Sequence, residues 1–407
     1  MFALVDPQLR HKALYAAFDI FPSRKGAAVH INRMATTLFD AADGGLLYVL
    51  GDDNLPLYQR ENNTEVIRFV PDAENFLDRT LEFGRALARI LRQQQDCLNI
   101  CHFRDPWCGV PILTNRTRHS TAIYEVNGLP SIELPYRFRH IAKRTLDKIR
   151  AAEEFCWSEA DLVITASSTL RHNLVSIGVP PEKISVIPNG ADLRPRPAAP
   201  PDAPGRYIIY LGALQRWQGL DNLLRAMARL ADLDDLSLVI CSATHHRHAK
   251  PYRKLAERLG VAERTIWMYS LNETDLLSWL AGASLSVAPL AECSRNIDQG
   301  CAPLKILESM AAGVPVVASD LPSVREFVTD RVDGWLVRPD RPSELAMAIR
   351  VLLEYPQRLR SMAEAARSKI EAEFTWDASL IRLSSLYSKI LATDSHKSVR
   401  SLLDVVN

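Results

Sequence analysis

The sequence predicts an α/β protein made of two doubly wound parallel-sheet domains. The chain has 407 residues, which is more than a single hydrophobic core usually serves. Short apolar runs alternate with helical stretches, a pattern typical of a parallel sheet covered by helices on both faces. The alternation stops at 194–205, a segment with five prolines, and then starts again. We therefore expect one domain on each side of this segment, which we interpret as a linker.

Seven apolar runs predict the strands of the first domain, which we place at residues 1–193. The runs are 13–18, 46–50, 66–70, 98–101, 122–126, 162–166 and 184–187. Ligands of open α/β folds bind outside the carboxyl ends of such strands, so the residues that follow each run are candidate site residues.

Six further runs predict the sheet of the second domain, which we place at 206–375. The runs are 207–211, 236–241, 265–268, 285–288, 315–318 and 335–337. Helices from Pro342 to Ala392 close the chain, and the polar residues 393–407 predict a loose tail.

One helix of the second domain carries an acid that needs a partner. Pro303 suits the first position of this helix, and Gly313 suits the left-handed residue after its last turn. Glu308 lies between them, in an apolar helix that leads into a buried strand. Two partners stay open for its carboxylate. One is Lys305, one turn earlier on the same face, and the other is a ribose, whose two neighbouring hydroxyls a carboxylate can accept together.

Two loops of the second domain offer hydrogen-bond donors to phosphate oxygens. Segment 298–303 precedes the start of the Glu308 helix, whose first N–H groups have no partner inside the helix. Gly212 follows a strand and lies before a helix near Gly219, where a glycine lets the backbone approach a ligand. An ordinary strand-to-helix turn is the alternative for this second loop. The chain has neither a G-x-G-x-x-G nor a P-loop motif, so a dinucleotide oxidoreductase or a P-loop ATPase lacks its main signature.

These segments resemble the family 4 glycosyltransferases. The stretch 300–320 is similar to the nucleotide-sugar motif of that family. Segment 21–30 is similar to its glycine-rich acceptor loop, 185–192 to the end of its N-terminal domain, and 210–219 to its first C-terminal loop. The similar segments span nearly the whole chain in the order of the family. The resemblance implies the GT-B fold, with two Rossmann-like domains facing a central cleft, and sugar transfer with retention of anomeric configuration.

The resemblance also implies roles for individual residues. Glu308 corresponds to the second glutamate of the motif, which binds the ribose, and the two loops hold the diphosphate. The implied donor-binding residues are Gly212, Gln218, Asp298, Gly300, Cys301, Ala302, Pro303, Leu304 and Glu308. The implied acceptor-binding residues are Lys25, Gly26 and Asn127. In the family the last helix, here 376–392, crosses back to the first domain.

The chain departs from the family in the diphosphate loop. Ala213 and Gln218 stand where the family has an arginine and a lysine. A leaving diphosphate develops negative charge that a positive group normally stabilises. The nearby candidates for that charge are Arg216, Lys305 and Arg295.

A second departure concerns the first acid of the motif, which falls on Gly300. Asp298 either contacts hydroxyls of the donor sugar in its place or is a solvated turn residue.

Two residues of the first domain are candidates for a contact with the reacting sugar. Segment 100–106 follows a strand at the place where the family has a histidine-containing loop. His102 and Arg104 both fit the histidine position, depending on the register. The alternatives are a structural role for His102 and a simple ion pair between Arg104 and Asp105. The turn 125–128, which contains Asn127, ends a neighbouring strand and is expected to line the same cleft.

Composition excludes several classes of partner. A formal net charge of +1 gives no general attraction to nucleic acid. No run reaches the roughly 18 apolar residues of a membrane span, and the first residues lack the apolar run of a secretory signal, so we expect a cytoplasmic protein. The seven cysteines include no C-x-x-C pair and are expected to be reduced. We expect no metal and no cofactor, since no carboxylate cluster is present to hold a cation.

The segment 136–150 is basic and has apolar residues at helical spacing. It carries six Lys or Arg residues against one Asp. Such a helix can lie on an anionic membrane surface, which makes peripheral membrane contact one interpretation. A surface helix that packs its apolar stripe on the sheet is the other.

The sequence therefore predicts a retaining glycosyltransferase. It would move a sugar from a nucleoside-diphosphate-sugar donor, such as a UDP-sugar, to a small-molecule, glycan or lipid-linked acceptor in glycoconjugate, glycolipid or polysaccharide biosynthesis. One rival is a binding protein of the same fold without turnover, which the departures at Ala213, Gln218 and Gly300 would suit. A sugar oxidoreductase or epimerase is a third hypothesis, weakened by the absent dinucleotide motif.

Overall fold

The computed structural model describes residues 11–23, 26–94, 96–117, 119–300 and 302–392. They form two compact units, each built on one sheet of largely parallel strands. The first unit runs to Ile187 and resumes at Ser379, and the second unit runs from Pro188 to Ala378. The predicted class, two parallel-sheet α/β domains, is confirmed.

In the described part of the first unit, eight strands form the sheet in the order β3-β4-β2-β1-β5-β6-β7-β8. These strands are β1 (Ala13–Ile20), β2 (Gly45–Leu50), β3 (Tyr58–Glu61), β4 (Thr64–Phe69), β5 (Ile100–Phe103), β6 (Thr121–Val126), β7 (Leu162–Thr165) and β8 (Ile184–Val186). Neighbours pair in parallel except β3 and β4. The edge strand β3 was not predicted, because its mostly exposed polar residues give no apolar run.

Helices cover both faces of this sheet. They are α1 (Gly26–Ala42), α2 (Phe76–Gln94), α3 (Pro106–Asn115), α4 (Pro130–Arg137), α5 (Lys143–Glu159) and α6 (Ser168–Ser176), with the end of the last helix of the chain, α14 (Trp376–Ala392). Apolar residues of α2, α3 and α5 fill the core on one face, and those of α1 and α14 fill the core on the other.

The sequence suggested that the basic segment 136–150 is one helix, but the structure divides it between two helices. The helix α4 ends at Arg137, and α5 begins at Lys143. Phe138 leaves the helical conformation, with φ −121° and ψ 88°, and its ring lies 5.6 Å from that of Phe76. The apolar spacing that predicted a single helix therefore combines the end of one helix with the start of another.

The sheet of the second unit has, among the described residues, six parallel strands in the order β11-β10-β9-β12-β13-β14. The strands are β9 (Tyr207–Leu211), β10 (Ser237–Ser242), β11 (Thr265–Tyr269), β12 (Leu285–Ala288), β13 (Val316–Ser319) and β14 (Trp335–Val337). Each overlaps one of the six predicted runs.

The helices of the second unit lie between these strands and after them. They are α7 (Leu220–Ala228), α8 (Lys250–Arg258), α9 (Glu273–Gly282), α10 (Leu304–Ala311), α11 (Pro322–Arg325), α12 (Pro342–Glu354), α13 (Pro356–Glu373) and the first residues of α14. Gly313 follows α10 with φ 66°, which confirms the predicted left-handed residue. Searched over the described residues, no helix is both long and apolar enough to span a bilayer.

The proline-rich segment 194–205 contains no helix or strand. It lies against the second unit, where Arg196 Nε donates to the carbonyl oxygen of Ala281 at 2.9 Å. The division between the units falls earlier, after Ile187, because Asn189 already contacts the second unit by donating to the carbonyl oxygen of Ala302 at 3.1 Å.

Candidate functional site

A buried carboxylate lies near the carboxyl ends of the central strands in the first unit. Glu125, in β6, is only 2% exposed. The hydroxyl of Tyr15 donates to its Oε2 at 2.8 Å, and Arg104 Nε donates to its Oε1 at 3.0 Å. The carboxamide of Asn127 also donates to Oε1. One carboxylate thus collects donors from β1, from the end of β5 and from the turn after β6.

Two histidines complete this cluster. His30 Nδ1 of α1 lies 3.2 Å from Oε1 of Glu125, and His102 Nε2 of β5 lies 3.1 Å from Oε2. The other ring nitrogen of His102, Nδ1, lies 2.7 Å from the hydroxyl of Tyr387 in α14. The strand register explains the arrangement: Tyr15 is paired with His102 and His102 with Ile123, and Glu125 lies two residues beyond on the same face.

The electrostatics of the cluster favour a charged pair. Burial raises the pKa of Glu125, but the nearby His30, Arg104 and His102 outweigh it and hold that pKa well below its usual range. Burial also lowers the pKa of Arg104, but Glu125 and other neighbouring acids raise it above the ordinary value. Glu125 and Arg104 therefore form a buried ion pair at neutral pH.

The residues predicted in the first unit take different places around this pair. His102 is fully buried, with its two ring nitrogens directed at Glu125 and Tyr387. Arg104 is 11% exposed and also donates to the carbonyl oxygen of Ala27 at 3.4 Å, in the first turn of α1. Gly26 is the exposed first residue of α1, and Asn127 is partly exposed. Lys25 lies outside the described residues.

Asp105 does not serve Arg104 as its main partner, which the ion-pair alternative would require. Its carboxylate caps α3 by accepting from the backbone N–H of Cys108 at 3.0 Å, and it accepts from the N–H of Phe18 at 2.7 Å. Burial raises the pKa of this carboxyl to about 6. The guanidinium of Arg104 pairs with Glu125 instead.

In the second unit, three predicted residues meet at the end of β9. Gly212 has φ 151°, and a Cβ at this position would lie 3.4 Å from Oε1 of Gln218 and 3.5 Å from Nζ of Lys305. The Lys305 ammonium donates to Gln218 and lies 5.0 Å from the ring centroid of Tyr210. The approach to the Gly212 backbone therefore carries a positive charge that comes from α10.

The loop 212–219 is held in place by contacts with the segment after β12. A Cβ on Gly219, whose φ is 69°, would lie 1.7 Å from the carbonyl oxygen of Pro289, so only glycine fits there. The amide of Asn296 donates to the carbonyl oxygens of Trp217 at 2.9 Å and of Ala291 at 2.7 Å. These bonds fix the loop before α7 begins.

The other two candidate cations lie differently. Arg216 is exposed in the short turn 216–218. Arg295 lies 5.5 Å from the ring centroid of Trp217 and donates to the side chain of Asn296 at 3.3 Å. Of the three, the structure brings Lys305 to Gly212.

The segment before α10 explains the missing acid. Residues 295–299 form a wide π-type turn, and Gly300 follows with φ 79° and ψ 177°, a region that is open essentially to glycine alone. A glutamate at this position would be strained. Asp298 is exposed in the turn, and Pro303 directly precedes α10, which begins at Leu304. Cys301 lies outside the described residues.

Glu308 lies partly buried in α10 beside other acids. Burial, with Glu273 and Asp192 nearby, raises its pKa to about 7. An ion pair with Lys305 would have lowered this pKa, and the ammonium of Lys305 instead donates to Gln218. Arg194 lies 2.7 Å from Glu273 and 3.4 Å from Asp192, which leaves Glu308 as the uncompensated member of the group.

No group of three or more His, Cys, Asp or Glu side chains that could hold a metal ion occurs among the residues the structure describes. The second unit offers three kinds of group to a ligand. These are the carboxylate of Glu308, which can accept hydrogen bonds from hydroxyls, the ammonium of Lys305, and the backbone of Gly212 at the end of a strand. Such groups suit a ligand with both hydroxyls and anionic oxygens.

The sequence analysis named His102, Arg104 and Asn127 of the first cluster, but not the carboxylate of Glu125 as their common partner. Tyr15, His30 and Tyr387 belong to no motif, and Tyr387 is distant in sequence. The available signal was Glu125 itself, an acid inside an otherwise apolar strand, which requires buried partners.

Two family comparisons together cover most of the chain. Residues 24–194 match the family described as Glycosyltransferase Family 4, and residues 195–369 match the family described as Glycosyl transferases group 1. The border between the two matches coincides with the start of the proline-rich segment.

Curated relatives carry related names. A D-inositol 3-phosphate glycosyltransferase of Thermobispora bispora is 30% identical over 259 residues, which is 59% of this chain and 58% of the relative. The chain thus spans less than two thirds of that relative. An uncharacterized glycosyltransferase of Methanocaldococcus jannaschii is 25% identical over 381 residues, 86% of this chain and 91% of the relative.

Solved structures show the same fold at low identity. Sucrose-phosphate synthase from Thermosynechococcus elongatus aligns with a TM-score of 0.75 at 18% identity, over 94% of this chain and 99% of that one. The Anabaena protein HepE in complex with UDP-glucose aligns with a TM-score of 0.72 at 17% identity, over 93% and 100%. These likenesses confirm the predicted GT-B fold.

The raised pKa of Glu308 leads to a prediction about stability. A carboxyl whose pKa is about 7 when folded and about 4.3 when unfolded holds its proton more tightly in the fold. The free energy of unfolding is therefore reduced as pH rises from about 4.3 to 7, and this penalty is complete above pH 7. Glu308→Gln removes the charge, so we expect it to be more stable than wild type at pH 8 by about 1–3 kcal/mol, seen as a higher Tm, with a clearly smaller difference at pH 5.

Thermal melts of both proteins at the two pH values measure this. Glu364→Gln, an exposed glutamate on α13, is the matched control and should shift Tm little at either pH. A Glu308→Gln variant whose difference from wild type is the same at pH 5 and pH 8 would show that Glu308 ionises as an ordinary glutamate.

Proposed function

The chain belongs to the glycosyltransferases of family 4, and on that premise we propose that it moves a sugar from a nucleoside-diphosphate-sugar donor to an acceptor with retention of anomeric configuration. The observation that carries the proposal is that Lys305 lies beside Gly212 and Gln218 at the end of β9. Lys305 belongs to α10, the helix that also carries Glu308. The cation of Lys305 beside the backbone of Gly212 suits a diphosphate. The carboxylate of Glu308, three residues further along the helix, suits a ribose.

The donor is assigned to the second unit. Glu308 accepts the two ribose hydroxyls, for which its lack of a compensating cation leaves both oxygens available. The 212–219 loop and the start of α10 bind the diphosphate, with Gly212, Gln218 and residues 300–304 as the donor-binding set. Asp298, exposed beside Gly300, is assigned to hydroxyls of the transferred sugar.

We assign stabilisation of the negative charge on the leaving diphosphate to Lys305 rather than to Arg216. A side chain that acts on the departing diphosphate has to be held near it before the reaction, because preorganised charge is what stabilises a transition state. Lys305 is held by Gln218 and by the ring of Tyr210, whereas Arg216 points from an exposed turn.

The acceptor is assigned to the first unit. Gly26 begins α1, and the first N–H groups of a helix, which have no partner inside it, suit an anionic or hydroxyl-rich acceptor. Lys25, named with Gly26 from the sequence, lies outside the described residues. Asn127 and Arg104 lie at the same edge of the sheet. Arg104 is proposed as the residue of this unit that contacts the reacting sugar, and the fully buried His102 acts through its neighbours.

A UDP-sugar is the proposed donor class, since HepE, a structural neighbour, has been solved with UDP and with UDP-glucose. The acceptor class is a glycan or lipid-linked molecule, and the pathway is glycoconjugate or polysaccharide synthesis. Support for a lipid-linked acceptor comes from the basic start of α5, where Lys143, Arg144 and Lys148 are exposed. Peripheral contact with an anionic membrane is part of the proposal.

Glu308→Ala should weaken the binding of UDP at least tenfold, since each hydrogen bond to a charged group contributes about 1.5–3 kcal/mol. In the wild type, affinity should rise about tenfold from pH 6 to pH 8, because only the ionised carboxylate accepts both hydroxyls and its pKa is about 7. Titration calorimetry at both pH values measures both effects.

Glu308→Gln separates the carboxylate from titration of the diphosphate itself, and it should lose the part of the pH dependence that Glu308 contributes. Glu364→Gln should bind as wild type. A folded Glu308→Ala variant with unchanged affinity would show that the ribose is bound elsewhere.

Turnover tests the function as a whole and the role of Lys305. The wild type should transfer or slowly hydrolyse at least one nucleoside-diphosphate sugar. Lys305→Ala should lower kcat about 10²-fold or more, the scale for loss of one preorganised group, with a smaller effect on donor affinity. Arg216→Ala should lower kcat less than about tenfold.

Steady-state kinetics with the identified donor decides between outcomes. If neither variant changes kcat by tenfold, the leaving group is stabilised by backbone and helix termini alone. If the wild type binds nucleotides but turns over no donor, the binding-protein alternative, which Ala213 and Gly300 suit, replaces the proposal.

Membrane contact predicts co-sedimentation with anionic vesicles at low salt and release as salt rises, because each basic residue near the surface contributes about 1 kcal/mol and salt screens it. Arg144→Glu with Lys148→Glu should abolish binding. Lys254→Glu with Arg258→Glu on α8 is the matched control, since both residues are exposed. Equal recovery of the wild type with neutral and anionic vesicles would contradict membrane contact.

A further inference from the structure

The Glu125 cluster connects five elements of the first unit. Its members come from β1 (Tyr15), α1 (His30), β5 and the residue after it (His102 and Arg104) and the turn after β6 (Asn127). Through His102 the cluster also reaches Tyr387 on α14.

Stability alone is a poor reason for this cluster. Replacing a buried ion pair by apolar residues of the same volume often leaves a protein equally or more stable. The core around the cluster on this face of the sheet is largely apolar and includes Ile31, Ile123 and Ile164. A charged network that interrupts such a core near the carboxyl ends of the strands indicates a functional constraint.

The cluster has an open side and a closed side. Tyr15, His102 and Tyr387 are fully buried, so they contact no ligand directly. Arg104 is 11% exposed, and Asn127 and the start of α1 are more accessible. The Glu125 carboxylate lies between the two sides and binds members of both.

We propose that Glu125 is a positioning residue for the transfer reaction described under Proposed function, on which this inference rests. Its buried carboxylate fixes the Arg104 guanidinium and the Asn127 carboxamide at the carboxyl edge of the sheet. Its two oxygens divide the work. Oε1 binds Arg104 Nε and Asn127, and Oε2 binds Tyr15 and faces His102.

Tyr387 sets the orientation of the carboxylate through His102. Nε2 of His102 faces Oε2 of Glu125 at 3.1 Å. Nδ1 of the same ring lies within hydrogen-bond distance of the hydroxyl of Tyr387, at 2.7 Å. The hydroxyl of Tyr387 fixes the ring of His102, the ring lies against Oε2 of Glu125, and Oε1 binds Arg104.

The same network fixes the start of α1. Arg104 donates to the carbonyl oxygen of Ala27, and His30 contacts Glu125 from one turn further along that helix. Loss of the Glu125 charge should therefore disturb three places together: Arg104, Asn127 and the first turn of α1.

Glu125→Gln keeps the shape and removes the charge. We expect kcat to fall about 10²-fold, the cost of a small misplacement of reacting groups, with the Kd of UDP unchanged within about twofold, because the donor site is assigned to the second unit. Tyr387→Phe removes one hydroxyl without touching Arg104 and should lower kcat about tenfold, since it loosens the carboxylate only indirectly.

Glu65→Gln is the matched control. Glu65 is also a fully buried glutamate of this sheet, bound by Tyr58 at 2.6 Å and by His11 at 3.0 Å, but it lies at the amino end of β4. It should change Tm without lowering kcat. A fall in kcat with Glu65→Gln as large as that with Glu125→Gln would show that lost stability is the cause, and would overturn the proposal.

Hydrogen exchange gives a readout that needs no activity. Glu125→Gln should speed exchange at 26–33, 104–109 and 127–130 relative to the rest of the first unit, and Glu65→Gln should not. Unchanged exchange there, or a folded Glu125→Gln variant with kcat within threefold of wild type, overturns the proposal. If Glu125→Gln does not fold, an unchanged kcat in Tyr387→Phe overturns it.

The two proposals fail separately. A wild type without turnover for any donor counts against the proposed transfer, and the exchange experiment then decides on the role of Glu125 alone.

Discussion

The parallel arrangement of the strands is the constraint on which both units depend. A parallel sheet covered by helices on both faces leaves its side chains in apolar surroundings, so polar groups that must be reached by a ligand lie where the strands end. In the first unit the ends of β5 and β6 supply Arg104 and Asn127. In the second unit the end of β9 supplies Gly212. The position of each candidate group follows from the strand before it.

The two units differ in whether a buried carboxylate has cations beside it. In the first, Glu125 is compensated by Arg104 and by several donors, so burial does not keep it protonated. In the second, burial and the neighbouring acids raise the pKa of Glu308 to about 7. A compensated carboxylate is suited to hold neighbouring side chains in place. An uncompensated one is unstable by itself and gains most from a ligand that brings hydroxyls to it, which is the usual conflict between stability and binding.

Local patterns in the sequence were sufficient for the fold and for naming the candidate residues of the second unit. The strands there are continuous apolar runs, Gly212 follows one of them, and Lys305 and Glu308 share one helix. The first cluster depends on strand register and on a contact between His102 and Tyr387 across most of the chain, which no local pattern contains. The edge strand β3 was also not predicted, because an exposed strand needs no apolar run. The basic segment was wrongly taken as one helix, because its apolar spacing runs across the end of α4 and the start of α5.

The departures from the family become coherent when neighbouring positions are considered together. A lysine at 218 would bring a second cation next to Lys305, and the two would repel each other. Gln218 instead offers a carbonyl oxygen that accepts from Lys305 and keeps its ammonium at Gly212. Gly300 is similar: the turn 295–299 requires a backbone conformation that a glutamate could not adopt without strain. Lys305 of α10 therefore places a cation at Gly212 although position 218 itself is neutral.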